Sequence, residues 1–188
     1  MGDPAATPRD ITSWFVAQLI ANGKISLAKN LGGIGAMGNP ISGMLDKGLK
    51  LRWFKRQVQN GGPWDFKNNA LKADKTAGVL FAGTHYRYDM PGNFHYGFVG
   101  ALAGFSATLL EAAAGKAQLD AGTSKPEFWC TSFDDPEDNA YVGLGIRLAK
   151  SKAFQVAASD VDAMLKKFVH VTCAPPGKYT QMIIDQVF

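Results

Sequence analysis

Three short stretches concentrate the side chains able to move protons or hold a charged ligand. The first is Pro63-Trp-Asp-Phe-Lys67, where Asp65 and Lys67 stand two residues apart. On an extended segment that spacing puts the acid and the amine on one face, beside the Trp64 indole. The second is Tyr88-Asp-Met-Pro-Gly-Asn-Phe-His-Tyr-Gly97, which gathers Asp89, Asn93, His95 and Tyr96 around a Pro-Gly turn leading into a helix. A helix N-terminus offers free N–H groups and a dipole that favour negative charge in a ligand or transition state. There Asp89 suits an acid or base, and His95 a proton carrier or the donor that orients a carboxylate. The third is Asp134-Asp-Pro-Glu-Asp138, where crowded carboxylates raise one another's pKa, as a general acid or an oxygen-ligated cation site requires.

Each stretch also has a structural reading. Asp65 and Lys67 could form an ion pair beneath a core tryptophan; Asp89 and Asn93 could cap a helix, with His95 a satisfied core histidine. Asp134 and Asp135 could serve helix initiation alone, and their spacing does not fit a twelve-residue calcium loop. No GxSxG elbow, HExxH, P-loop or dinucleotide fingerprint is present, because Gly32-Gly-Ile-Gly35 and Gly38 precede no strand–helix pattern. Cys130, beside Trp129, lacks the surroundings of a protease nucleophile. The reading calls for no cofactor and no metal.

These side chains must be held by a mainly α, α+β fold: one compact domain with a small β-hairpin and a central Gly/Ala-rich helix. Residues 1–9 read as a poorly ordered tail and 10–188 as the domain. Asp10 caps a first helix through Ile11, Trp14, Phe15 and Leu19, which Asn22-Gly23 should stop. A Gly-rich connector, 31–43, leads to a second helix, Met44 to Val58, with an apolar stripe (Leu45, Leu49, Trp53, Phe54) beside a basic face. Gly78 to Asp89 alternates loosely and predicts a short hairpin. The central helix is expected from about Tyr96 to Ala114, then a helix opening at Asp134-Asp-Pro136 and closing at Lys150-Ser-Lys152, and another from Ser159 to about Phe168. The segment 179–188 is apolar without a clear period.

At 188 residues, 46% hydrophobic and 19% charged, the chain has enough apolar mass for one real core. Its net charge of +4 favours an anionic partner such as nucleic acid, a cell-wall polymer or an acidic protein. The weakly polar run Phe98 to Ala114 is broken by Gly100, Gly104, Ser106, Thr108 and Glu111, so it reads as buried rather than membrane-spanning. No signal-peptide pattern opens the chain, so export is expected to be directed by something other than these residues. Cys130 and Cys173 form no zinc pattern; buried free thiols are favoured over a disulfide.

Asn60-Gly-Gly-Pro-Trp-Asp-Phe-Lys67, Gly92-Asn-Phe-His-Tyr-Gly-Phe-Val-Gly100 with Gly104-Phe105, Ala113-Ala-Gly115 with Gln118, and Asp134-Asp-Pro-Glu-Asp138 with Gly145-Ile146 together resemble the type 44 domain of bacterial polymorphic toxins, over about residues 53–150. The resemblance implies a toxin module of an exported protein, delivered into competing bacteria and paired with a cognate immunity protein. It carries over Trp64, Asp65, Lys67, Asp89, Asn93, His95, Tyr96, Gln118, Asp134, Asp135 and Asp138 as the matched polar and aromatic positions.

The leading expectation is a peptidoglycan hydrolase that cuts the glycan between two carboxyl groups. Asp89 takes one role and Asp65 or Asp134 the other, with His95 in support. Trp64, Lys67, Asn93, Tyr96, Gln118, Asp135 and Asp138 would bind substrate, and Trp64, Phe94, Tyr96 and Trp129 would offer stacking faces to sugars. It would act in the periplasm or cell wall. The alternative is a metal-independent ribonuclease working in the cytoplasm, with His95 and Asp65, Lys67 or His85 moving protons and the basic helix face holding phosphates. A lesser alternative is membrane disruption, although no stable insertion is expected.

Overall fold

A computed structural model describes residues 7–32 and 40–187. Residues 1–6 of the expected tail and 33–39 of the expected glycine connector lie outside the described residues. The fold is mainly α with a small sheet, as expected. Arg9, assigned to the tail by sequence, belongs to the fold: β1 (Arg9–Asp10) runs parallel to β2 (Val79–Phe81), and the Arg9 guanidinium lies 2.7 Å from the Asp74 carboxylate. β2 turns back antiparallel into β3 (Thr84–Tyr86) through Ala82-Gly83, the expected hairpin. Both turn residues have positive φ, 48° and 78°, as a two-residue hairpin turn demands.

α1 (Thr12–Gly32) starts where the Asp10 carboxylate accepts from the Thr12 N–H and hydroxyl at 2.8 and 2.6 Å. It does not stop at Asn22-Gly23. Ile11, Phe15, Leu19, Asn22 and Ser26 form one continuous buried stripe, and burial of that stripe outweighs the local cost of a helical glycine, about 1 kcal/mol. α2 spans Pro40–Val58, four residues longer at its start than expected. Of the extended and turn alternatives open to the segment after the Asn60-Gly-Gly-Pro63 break, the structure takes the turn: Asn60 to Ala70 is a chain of turns.

The expected central helix is two helices. α3 (Met90–Leu102) ends before Gly104, whose φ of +83° turns the chain, and the Ser106 hydroxyl accepts from Leu109 N–H to cap α4 (Ala107–Asp120). α3 packs on α5 (Pro136–Lys152) with backbones in contact: a Cβ on Gly97 would strike the Val142 carbonyl, and one on Gly145 the Phe94 carbonyl. Phe15, Phe81, Phe94, Phe98, Leu144 and Leu148 fill the core around this crossing. α5 begins as expected, with Asp135 accepting from Glu137 N–H and Pro136 in the first turn.

α6 (Ala158–Leu165) and α7 (Lys178–Val187) complete the chain. The favoured reading of the cysteines is overturned: Cys130 and Cys173 are joined in a disulfide, their Cα atoms 5.5 Å apart. Because the C-terminal segment folds back over a 3-10 helix (Pro126–Thr131), two cysteines distant in sequence become neighbours. The bridge, the Trp129 Nε1 bond to the Ala174 carbonyl and the buried Ile184 side chain fasten α7 there.

Candidate active site

The polar residues chosen from sequence separate into two places. Asp65 is buried, and its carboxylate accepts from Gly61 N–H (2.8 Å), Asn68 N–H (3.3 Å) and the Asn68 amide (2.8 Å). It closes the turn that the Asn60-Gly-Gly-Pro63 break opens. Trp64 and Phe66 pack their rings on His95, at centroid distances of 5.5 and 4.4 Å, and Asn22 of α1 lies 3.0 Å from His95 Nε2. Burial drives the His95 pKa down to about 3, so the ring is neutral near pH 7. Lys67 is exposed. Trp64 and Phe94 pack in the core, and Tyr96 and Trp129 are half-buried.

Asp89, Asp134 and Asp138 converge elsewhere. Asp89 precedes the first residue of α3, Asp138 lies in the first turn of α5, and Asp134 ends the turn leading into α5. The Arg87 guanidinium joins the two helix starts: it lies 2.6 Å from Asp89, 3.0 Å from Glu137 and 3.6 Å from Asp138. From α4, the Gln118 amide donates to Asp134 Oδ1 (3.1 Å) and Asp138 Oδ2 (3.3 Å), and its own carbonyl accepts from the Thr123 hydroxyl (3.0 Å).

The backbone holding Asp134 is itself unusual. Ser132 and Phe133 both have positive φ, 57° and 67°. A left-handed pair without glycine is unfavourable on its own and persists only where its surroundings impose it. Here Thr131 donates to the Asp134 carbonyl (2.5 Å), Ser124 donates to the Phe133 carbonyl (2.5 Å), and Gly115 of α4 lets the Ser132 carbonyl approach the helix backbone so closely that any Cβ would collide with it.

The electrostatics follow from burial. Asp134 is only 3% exposed, and burial followed by the nearby Asp135 charge raises its pKa to about 7, against the lowering effect of Gln118. Burial, Asp89 and Asp134 push Asp138 up to about 8, with Arg87 opposing. Tyr96, whose hydroxyl donates to the Leu110 carbonyl, is also raised, by burial first and then by Asp134. One oxygen on each of Asp89, Asp134 and Asp138, and the amide nitrogens of Asn93 and Asn139, are buried without a hydrogen-bond partner. Two carboxyls that titrate near or above neutrality, next to an ion-paired third, are a proton donor and an acceptor side by side. Among the described residues no three His, Cys, Asp or Glu side chains are grouped to hold a metal ion.

Residues 52–151, more than half of the chain and the whole of this carboxylate cluster, match the family described as bacterial toxin 44. The chain belongs to the bacterial toxin 44 family. Comparison with curated proteins and with solved structures finds no match. The toxin's matched region begins near the end of α2 and stops at the end of α5, so α1, most of α2, α6 and α7 lie outside it. No described helix of the toxin is long and apolar enough to cross a membrane. The sequence reading placed Glu137 in the acidic cluster but missed Arg87 and Asn139. Arg87 was hidden in the aromatic run of the hairpin, and only the approach of β3 to the start of α5 gives it a role.

Proposed function

We propose that this toxin is a peptidoglycan glycosidase that works by carboxylate acid/base catalysis, with Asp138 as the general acid and Asp89 as the base or nucleophile. The observation that carries this reading is the buried Asp89–Asp134–Asp138 cluster, in which Asp138 titrates at about 8 and Asp89 is ion-paired to Arg87. Glycoside hydrolysis needs that division: one carboxyl protonated at neutral pH to protect the leaving oxygen from developing charge, and one carboxylate to serve the sugar or water. Gln118 bridges Asp134 and Asp138 and so holds Asp138 in place, and Asn93, Tyr96 and Asp135 border the cluster as candidates for substrate contact.

The disulfide supports a site of action in the periplasm or cell wall of the target bacterium, since such bridges persist in oxidising compartments. The ribonuclease alternative rested on His95, whose buried neutral ring is a poor proton carrier. A cognate immunity protein remains the expected partner of the module.

The test is incubation of the purified, oxidised protein with peptidoglycan sacculi and, separately, with total RNA, reading muropeptides by mass and RNA by gel. Muropeptide release that is lost in both Asp138→Asn and Asp89→Asn is the expected result. Intact sacculi alongside degraded RNA would overturn the proposal.

A further inference from the structure

The positive charge of the chain is segregated. Between residues 11 and 64 there are seven basic residues (Lys24, Lys29, Lys47, Lys50, Arg52, Lys55 and Arg56) and one acid, Asp46; the remaining chain carries thirteen basic and fifteen acidic residues. The excess therefore belongs entirely to α1 and α2, half of it before the matched toxin region begins at residue 52.

α2 is also poorly buried for its length. Among its described side chains only Phe54 is buried, with Trp53 half-covered, while Leu49 and Leu51 are 65% and 44% exposed. A helix in water depends on packing of its apolar face more than on propensity, so the stretch 46–58 of α2, with one buried anchor among its described side chains, lacks most of its expected cover. Across from it, α1 leaves Ile25 46% and Leu31 56% exposed. Between the two helices lies a groove of about 510 Å³, floored by Ile25, Ala28, Leu49 and Trp53 and flanked by two lysines, Lys29 and Lys50, against one acid, Asp46.

We infer that this α1–α2 groove docks an acidic amphipathic helix of a protein partner. Two helices with unpaired apolar side chains facing a shared groove present the surface into which a third helix lays its own apolar stripe. The lysines on the flanks select carboxylates on either side of that stripe and raise the association rate at low salt. A concave floor with a single aromatic ring, Trp53, already lying under Lys29, favours this occupant over nucleic acid, which calls for successive aromatic platforms or guanidinium forks, and over a membrane, which calls for apolar side chains that protrude from a flat or convex face.

The experiment uses the full chain and a fluorescein-labelled, helix-forming peptide of about 18 residues, with Leu at i, i+3, i+4 and i+7 and Glu on the flanking positions. A scrambled peptide of the same composition, phosphatidylglycerol-containing vesicles and a short single-stranded RNA serve as competitors. Saturable binding by anisotropy is expected, at least about tenfold tighter than for the scramble and weakened about tenfold or more by Leu49→Asp and by the Lys29→Glu/Lys50→Glu double change. Both variants alter exposed or half-exposed side chains, and circular dichroism verifies their fold. The inference is overturned by absent binding, by equal binding of the scramble, by indifference to Leu49→Asp, or by vesicles or RNA displacing the peptide and losing their own binding in the same variants. Muropeptide release is not the readout, so the groove and the carboxylate cluster stand or fall separately.

Discussion

The turn around Asp65 and the corner around Asp138 are both built from buried polar side chains within the family-matched segment, yet they are opposites in hydrogen bonding. Asp65 receives three donors, and His95 is enclosed by Trp64, Phe66 and Asn22. Asp89, Asp134 and Asp138 each keep an oxygen without a hydrogen bond, and two of them are held near or above neutrality. A buried polar group with all its partners stabilises and specifies a fold; one left short stores free energy that a substrate or a proton can release. Residue type alone did not separate these two cases.

The sharpest way to break the comparison is to remove one acid from each side. Asp138→Asn should lower muropeptide release by about 10²–10⁴-fold, the usual span for a general acid, while the melting temperature changes little, because the protonated carboxyl it replaces is already uncharged and of the same shape. Asp65→Ala should do the reverse: it orphans two buried-turn N–H groups and an amide, costing about 2–4 kcal/mol of stability by denaturant titration, with specific activity retained below the transition. If the two variants behave alike, the distinction between satisfied and frustrated acids fails.

Cys173→Ser or treatment with a dithiol should cost about 2–4 kcal/mol and release α7, visible as faster hydrogen exchange over 169–187. Exchange should also rise in 126–134, because the other end of the bridge anchors the segment that leads to Asp134.

The smallest expected effect is a pH profile, and it distinguishes the two regions by sign. Asp134 and Asp138 have raised pKa values in the folded state, so the stability tied to their protonated forms is complete below about 4 and is lost as pH rises through about 7 and 8. His95 is depressed, so its contribution is complete above about 6.5 and is lost as pH falls toward 3. The two trends oppose each other between pH 4 and 6.5, and only the carboxyls act above that. Because two carboxyls oppose one imidazole, melting temperature should peak near pH 4 and decline as pH rises toward 8, and an Asp134→Asn/Asp138→Asn double variant should remove that decline.

Much of the local architecture was legible in the text. Asp10 at the head of α1, the 78–89 hairpin and the Asp135-Pro136 start of α5 all depend on contacts between residues a few positions apart, and caps and tight turns obey local stereochemistry. The errors share one cause. Asn22-Gly23 carries a stop signal, but α3 packs against that glycine, with Phe98 and Leu102 atoms 3.0 Å from where its Cβ would be, and the helix continues. Gly104 looked like one more small residue of a long helix and instead divides it.

Sequence by itself therefore determined the fold class, the family and the set of polar residues from which a site could be assembled, because composition, periodicity and motif order are properties of the chain. Tertiary structure alone decided which of those residues work together. Burial and partner count depend on what other elements bring: Arg87 from the hairpin, Gln118 from α4, Cys173 from beyond α6, and Asn22 from α1. An aspartate reads the same in a string whether both its oxygens find donors or one is left short, and that difference is what separates a structural acid from a reactive one.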